Sequence, residues 1–340
     1  MGSKVLSKVA LVSAFVMAIT ACSSGATTNA PAEPAETTAG ETSAPATDEI
    51  TSITVSLLPI THTSPVHIAV QEGIFEEEGL DVTIEYGSTG AAIVPSVLQG
   101  AVDIGYANIN STIQGRSQGL PLISIATADG AAQDPNLDTN VLLVAGDSDI
   151  QTPADLNGKT IAVNALSGLI YVTTRKAADN LGADSSTFNM VEIPFPEMLA
   201  ALESGQVDAV SVTEPFYTIG MAGDAREIMT VINLGGERPG FVTDTYFTTE
   251  EYLEENPEVV ASFRRAIYRA NQLANDNPDL VRQVVGTYTP IPEAILAQMR
   301  LPFWPVEPIS REDVDLMISL MQDYGILTGT PPTYEELIRE

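Results

Sequence analysis

Apolar and polar positions alternate at Ile53-Thr54-Val55-Ser56-Leu57-Leu58, which predicts a strand. Val66, Ala69, Val70, Ile74 and Phe75 then recur near helical spacing over 65–78. A second strand is expected over 82–86. Gly87-Ser88-Thr89-Gly90 leads a helix that closes at Gln99-Gly100, and a third strand covers 102–106. Strands alternating with helices in this way argue for a largely parallel α/β sheet.

A short piece of this pattern returns. Val97-Leu98-Gln99-Gly100-Ala101-Val102-Asp103-Ile104 and Leu202-Glu203-Ser204-Gly205-Gln206-Val207-Asp208-Ala209 share an apolar helix end, a Gly, one spacer and Val-Asp before a strand. Gly100 and Gly205 suit the left-handed position just past a helix. Asp103 and Asp208 are expected to hold turns through nearby backbone N–H groups. Two similarly built lobes follow, with lobe 1 over 52–146 and 240–340 and lobe 2 over 147–239. The hinges are expected near 143–150 and 236–242. In the second lobe, strands are predicted over 160–164 and 208–212, and a helix runs from Ser167-Gly168 to Leu181. Residues 241–247 read as the return strand. Helices are then expected over 249–255, 257–275, 278–287, 292–299 and 311–324, with Thr248, Asn277 and Ser310 as N-caps.

Ahead of the folded part, Lys4 and Lys8 precede an apolar run from Val9 to Thr20. That run falls short of the roughly 20 residues a spanning helix needs. Small residues follow, and then Cys22, the one cysteine of the 340-residue chain. This is the layout of a secretory leader over 1–21. Ile19-Thr20-Ala21-Cys22 resembles the bacterial lipobox, which implies lipidation of Cys22 and an extracytoplasmic, membrane-anchored protein. One thiol makes no internal disulfide and no cysteine-based zinc site. Residues 23–49 contain no large apolar side chain, only Ala, Thr, Ser, Pro, Gly, Asn and acids. Such a stretch cannot offset the entropy of ordering, so 22–51 is expected to be a disordered tether.

The chain has 45 Asp and Glu against 15 Lys and Arg, a net charge of −30. That balance argues against nucleic acid as a partner, since phosphate binding relies on basic patches. Two histidines without clustered acids make no metal site. No G-x-S-x-G and no phosphate-binding Gly loop occurs, and no cofactor is expected.

Gly73-Ile74-Phe75-Glu76-Glu77-Glu78-Gly79-Leu80-Asp81-Val82 resembles a block of the periplasmic-type substrate-binding proteins. That group takes in the sulfonate-, taurine- and nitrate-binding proteins and the THI5/NMT1-like thiamine-pyrimidine binders. Gly100 to Gly105, Asp155-Leu156-Asn157-Gly158-Lys159-Thr160-Ile161-Ala162-Val163, Gly205 to Ala209 and Glu255-Asn256-Pro257 resemble further blocks of the family, in the same order. The resemblance implies a type II solute-binding fold with two α/β lobes, two crossovers and C-terminal helices returning to lobe 1. It implies a monomer that performs no chemistry and hands a small molecule to an ABC permease with its ATPase. The lobes would close on the ligand by a hinge motion.

Ligands of parallel sheets bind at the C-terminal strand ends, next to helix N-termini. The candidate set is therefore Thr61, His62, Thr63 and Ser64 after the first strand, Ser88 and Thr89 after the second, and Asn108, Asn110 and Ser111 after the third. Asn164, Ser167 and Gly168, then Thr213 and Glu214, complete it in the second lobe. Hydroxyls and exposed N–H groups can hold an oxyanion without a cation. Ser88, Thr89 and Ser167 are equally read as helix caps. Glu214 either caps, pairs, or accepts bonds from an aminopyrimidine. Lys159, Lys176, Arg116 and Arg175 fall at no predicted strand end, which counts against nitrate. His67, Phe216, Tyr217 and Trp304 are read as packing. Two other functions stand beside solute binding. One is a THI5-type pyrimidine-synthesis enzyme, whose cysteine-rich motif has no counterpart after Cys22. The other is a lipid-anchored ligand sensor.

Overall fold

The computed structural model describes residues 50–339. The leader, Cys22 and the tether up to residue 49 lie outside the described residues. β1 (Thr51–Leu57), β2 (Leu80–Tyr86) and β3 (Ile104–Asn108) are parallel neighbours, in the order β2-β1-β3. Between them lie α1 (Ser64–Gln71), α2 (Ile74–Glu77) and α3 (Gly90–Leu98). The single helix expected over 65–78 is broken because Gly73 takes φ 69° between α1 and α2. A left-handed residue ends the helical hydrogen-bond run.

α4 (Ile109–Ser117) and β4 (Leu122–Thr127) follow, and the chain then leaves the first sheet. The second sheet is built from β5 (Asn140–Ala145), β6 (Thr160–Val163), β7 (Asn189–Glu192), β8 (Ala209–Thr213) and β9 (Ala225–Thr230), with α5 (Leu169–Asn180), α6 (Phe195–Glu203) and α7 (Phe216–Ala222) between them. The chain returns through β10 (Asp244–Thr249). It ends in α8 (Glu250–Glu255), α9 (Pro257–Asp276), α10 (Pro278–Tyr288), α11 (Glu293–Leu296), α12 (Arg311–Asp323) and α13 (Tyr334–Leu337).

The sheet orders are β2-β1-β3-β10-β4 and β7-β6-β8-β5-β9. They are the same arrangement twice. In each, the strand that enters from the other sheet, β10 or β5, runs antiparallel to both neighbours. The internal repeat is equally regular. Gly100 and Gly205 have φ 65° and 69°. The Asp103 and Asp208 carboxylates accept from the N–H of Thr54 (2.7 Å) and Thr160 (2.8 Å), tying each turn to the first parallel strand of its sheet.

β5 lies in the second sheet, so the expected lobe boundary at 147 and hinge at 143–150 are corrected: the first crossing runs over 128–139. The second runs over 231–243 and contains the other expected hinge. β4 and β5 carried no alternation because they are buried on both faces. The crossings are tied together by buried Asp138, whose Oδ2 accepts the N–H of Val231 (3.2 Å) and Asn233 (3.0 Å).

α9 buries Val260, Phe263, Ala266, Ile267 and Ala270 against the first sheet, an apolar stripe at helical spacing. α12 returns to the first lobe and also reaches the second. Its Val314, Met317, Ile318 and Met321 share one cluster with Ile109 and Ile113 of α4 and with Leu169, Ile170 and Val172 of α5. It therefore packs against helices of both sheets. Ser310 caps α12, accepting from Asp313 N at 3.0 Å, whereas α8 is capped by Thr249 and not by Thr248.

Candidate functional site

The antiparallel entry of β5 and β10 decides where the polar cluster forms. The first residue of an antiparallel strand sits beside the last residue of its parallel neighbour. Asn140 thus pairs with Thr213, and Asp244 with Asn108. A narrow cleft of about 30 Å3 collects these residues with His62, Tyr106 and Asn164, over an apolar floor that includes Ile60, Ile170 and Phe195. A roomier hollow of about 280 Å3 between α6, α7 and β9 gathers no parallel strand ends and is not the candidate.

His62 is the centre of a buried network. Its Nε2 lies 2.9 Å from Thr139 Oγ1 and its Nδ1 lies 3.5 Å from Thr213 Oγ1. Asn140 Oδ1 lies within reach of both hydroxyls, at 3.2 and 3.4 Å. Burial pushes the imidazole down to about 4, against the opposing effect of Asn140, so it is neutral at physiological pH. Trp304 Nε1 donates to the His62 carbonyl at 2.9 Å and fixes the turn from behind.

On the other wall, Asn108 Nδ2 donates to Asp244 Oδ1 at 2.5 Å, and Thr243 Oγ1 donates to Asp244 Oδ2 at 2.6 Å. Tyr106 donates to the neighbouring Asp129 at 2.9 Å. Burial pushes Asp244 up to about 6. Burial, and then the Asp244 charge, push Asp129 well above the usual carboxylate range. Among the described residues lining the cleft there is no Lys or Arg. Among the described residues no group of three or more His, Cys, Asp or Glu is placed to hold a metal ion.

Of the residues expected at strand ends, His62, Asn108, Asn164 and Thr213 line the cleft. The others are placed differently. Thr61 Oγ1 lies 3.9 Å from Met299 Sδ, Thr63 Oγ1 donates to the Leu58 carbonyl, and Ser64 Oγ donates to the Thr61 carbonyl. Ser88 is exposed. Thr89 caps α3 by accepting from Ala92 N at 3.1 Å. Asn110 Nδ2 reaches across to the Ser167 carbonyl at 3.2 Å. Ser111 is half-buried on α4, and Gly168 precedes α5. Glu214 is wholly buried behind the cleft, accepting from Arg300 N (2.8 Å), Thr218 Oγ1 (2.8 Å) and Thr218 N (3.3 Å). Asn140 and Asp244 escaped the strand-end argument because they begin strands. The usable signal was a polar residue opening each run, before Val-Leu-Leu-Val and before Thr-Tyr-Phe.

Residues 60–280 match the NMT1/THI5-like family. The chain is 26% identical over 227 residues to the formylaminopyrimidine-binding protein of Halalkalibacterium halodurans, covering 65% of each chain. It is 24% identical over 242 residues to the yeast 4-amino-5-hydroxymethyl-2-methylpyrimidine phosphate synthase THI13 of Saccharomyces cerevisiae, covering 68% of each. In fold it is similar to the alkanesulfonate-binding protein SsuA of Xanthomonas axonopodis bound to MOPS, with a TM-score of 0.71 at 17% identity, covering 86% of this chain and 99% of that one. The two repeated sheets, the paired crossings and the match over most of the folded region agree: the chain belongs to the NMT1/THI5-like family, on a periplasmic-binding-protein fold.

Proposed function

We propose that this chain is the extracytoplasmic solute-binding component of an ABC importer, anchored through a lipid on Cys22 and delivering its ligand to a permease. The ligand is a small organic solute rich in hydrogen-bond donors, of the aminopyrimidine class. One observation carries the ligand class: the cleft offers the Asp244 carboxylate and the Asn140 and Asn164 amides but no cationic side chain. A carboxylate and amide oxygens accept from exocyclic amines and ring N–H groups. A sulfonate or nitrate would bring a second negative charge against Asp244 in a buried site, a repulsion no nearby cation offsets. The family's pyrimidine-related members, a binder and a synthase, agree with this class.

The test is mass spectrometry of small molecules released from the purified protein on denaturation, followed by a thermal-shift panel of aminopyrimidines, sulfonates and nitrate. An aminopyrimidine that raises the melting temperature is the expected result. A shift with taurine or nitrate alone would overturn the ligand class, and turnover of a bound pyrimidine would replace binding with catalysis.

A further inference from the structure

Asp129 follows β4 and Asp244 opens β10. The N–H groups of Thr243 and Asp244 both donate to the Asp129 carbonyl, at 3.2 and 3.1 Å, which holds the two residues side by side. Both are buried, at 0% and 2% exposure. Tyr106 from β3 donates to Asp129 Oδ2, and the His62 Nε2 of the turn after β1 stands 3.9 Å from Asp129 Oδ1. Burial, and then the Asp129 and Asp244 charges and Tyr288 from α10, push the hydroxyl of Tyr246 on β10 well above its ordinary value. Asn108 and Thr243 complete the shell as neutral donors. His62 is neutral, so none of these groups supplies positive charge. Two adjacent carboxylates in such a place cannot both ionise.

Two observations separate this pair from an ordinary buried acid. Among the described residues, Asp129 Oδ1 has no hydrogen-bond partner, and neither does the buried hydroxyl of Tyr246. Buried polar atoms in folded proteins are nearly always satisfied. Asp129 is bonded through its backbone carbonyl to Asp244, which lines the cleft.

We infer that Asp129 and Asp244 share one proton and that this proton selects the ligand: a basic ring nitrogen takes it, and the ionised pair then holds the resulting cation. The carboxyl O–H bond breaks, an N–H bond forms, and no proton is exchanged with solvent. The pair's lost proton and the ligand's new charge balance, so a buried cation meets its counter-charge without other rearrangement. A neutral analogue lacking the basic nitrogen gains no such pairing, and an anion meets repulsion. The inference rests on the reading of an aminopyrimidine-class ligand and adds the proton to it.

The test uses the full chain and 4-amino-5-hydroxymethyl-2-methylpyrimidine as probe, at pH 8, where the free probe is neutral. The ultraviolet spectrum of the bound probe is expected to shift to that of its protonated form. The infrared carboxylic-acid band of the ligand-free protein is expected to disappear on binding. Asp129→Asn is expected to lose both signals and about tenfold or more in affinity. Tight binding with an unshifted spectrum would overturn the shared proton and leave the ligand class standing. If the probe does not bind, the ligand class fails and the proton-selecting role fails with it. Whether the pair holds a proton at all is then read without ligand: a carboxylic-acid band at pH 8 that Asp129→Asn removes supports it, and no such band overturns it. Should Asp129→Asn fail to fold, the two wild-type spectra decide alone.

Discussion

Asp244 and Glu214 are both buried carboxylates at the edge of a sheet that faces the cleft, and their situations are opposite. Glu214 is spent: Arg300 N and Thr218 occupy both oxygens, and the Arg300 guanidinium lies close by, stacked 4.2 Å from the Tyr217 ring and paired with Glu227 at 2.9 Å. Asp244 also has a donor on each oxygen, Asn108 and Thr243, but among the described residues its charged neighbour is a second acid. A carboxylate fully served by its own protein is architecture. One left without counter-charge beside a cleft is a candidate for recognition. Glu214 follows the end of β8 and drew attention in the sequence, whereas Asp244 begins a strand and did not.

The largest effect separates the two directly. Asp244→Asn should weaken binding of an aminopyrimidine by about 100-fold, about 3 kcal/mol, the scale of one lost charge-assisted bond. Glu214→Gln should leave affinity within about twofold. Isothermal titration of the two variants side by side checks this, and equal losses would erase the distinction.

A second contrast is in pH. Burial, opposed by the bonds from Arg300 and Thr218, pushes Glu214 up to about 7 from its ordinary 4.5. Between those values the folded chain holds a proton that the unfolded chain has lost. Stability therefore falls as pH rises through this window, by roughly 3 kcal/mol from this group. Urea midpoints at pH 5 and pH 8 should show the decline, and Glu214→Gln should make it shallower, leaving the share of the other raised acids, Asp138 and Asp244. A variant with the wild-type slope would place the titration elsewhere.

Smaller effects sharpen the site's edge. Asn108→Ala should cost about tenfold in affinity by removing a donor to Asp244, while Ser88→Ala should change nothing measurable. Thr89→Ala should lower stability by about 1 kcal/mol through loss of the α3 cap, with affinity kept. Weakened ligand binding by Ser88→Ala or Thr89→Ala would extend the site to the end of β2.

Local sequence carried much of the fold. Alternation at 53–58 and the Gly-x-Val-Asp repeat marked β1 and the entries to β3 and β8, and the helix expected over 257–275 is α9. β4, β5, β7 and β9 were not legible. β4 and β5 are buried on both faces and carry no period of two. β9 is half-buried except at Met229 and mixes Arg226 and Glu227 with apolar residues, so it too shows no clean face. The lobe boundary was misplaced for the same reason, since β5 gave no sign of which sheet it joined.

The candidate site was half legible. His62, Asn108, Asn164 and Thr213 stand at parallel strand ends, where position in the sequence gives position in the cleft. By itself the sequence determined the two-lobed α/β class, the family and the acidic character of the chain, because periodicity, Gly placement and composition are local properties. Tertiary structure alone decided that Asn140 and Asp244 face the cleft, that Glu214 is turned to Arg300, and that Asp129 lies against Asp244. Each depends on the antiparallel register of a strand arriving from the other sheet, or on a partner 86 or more residues away. Nothing in a residue's near neighbours records those distances.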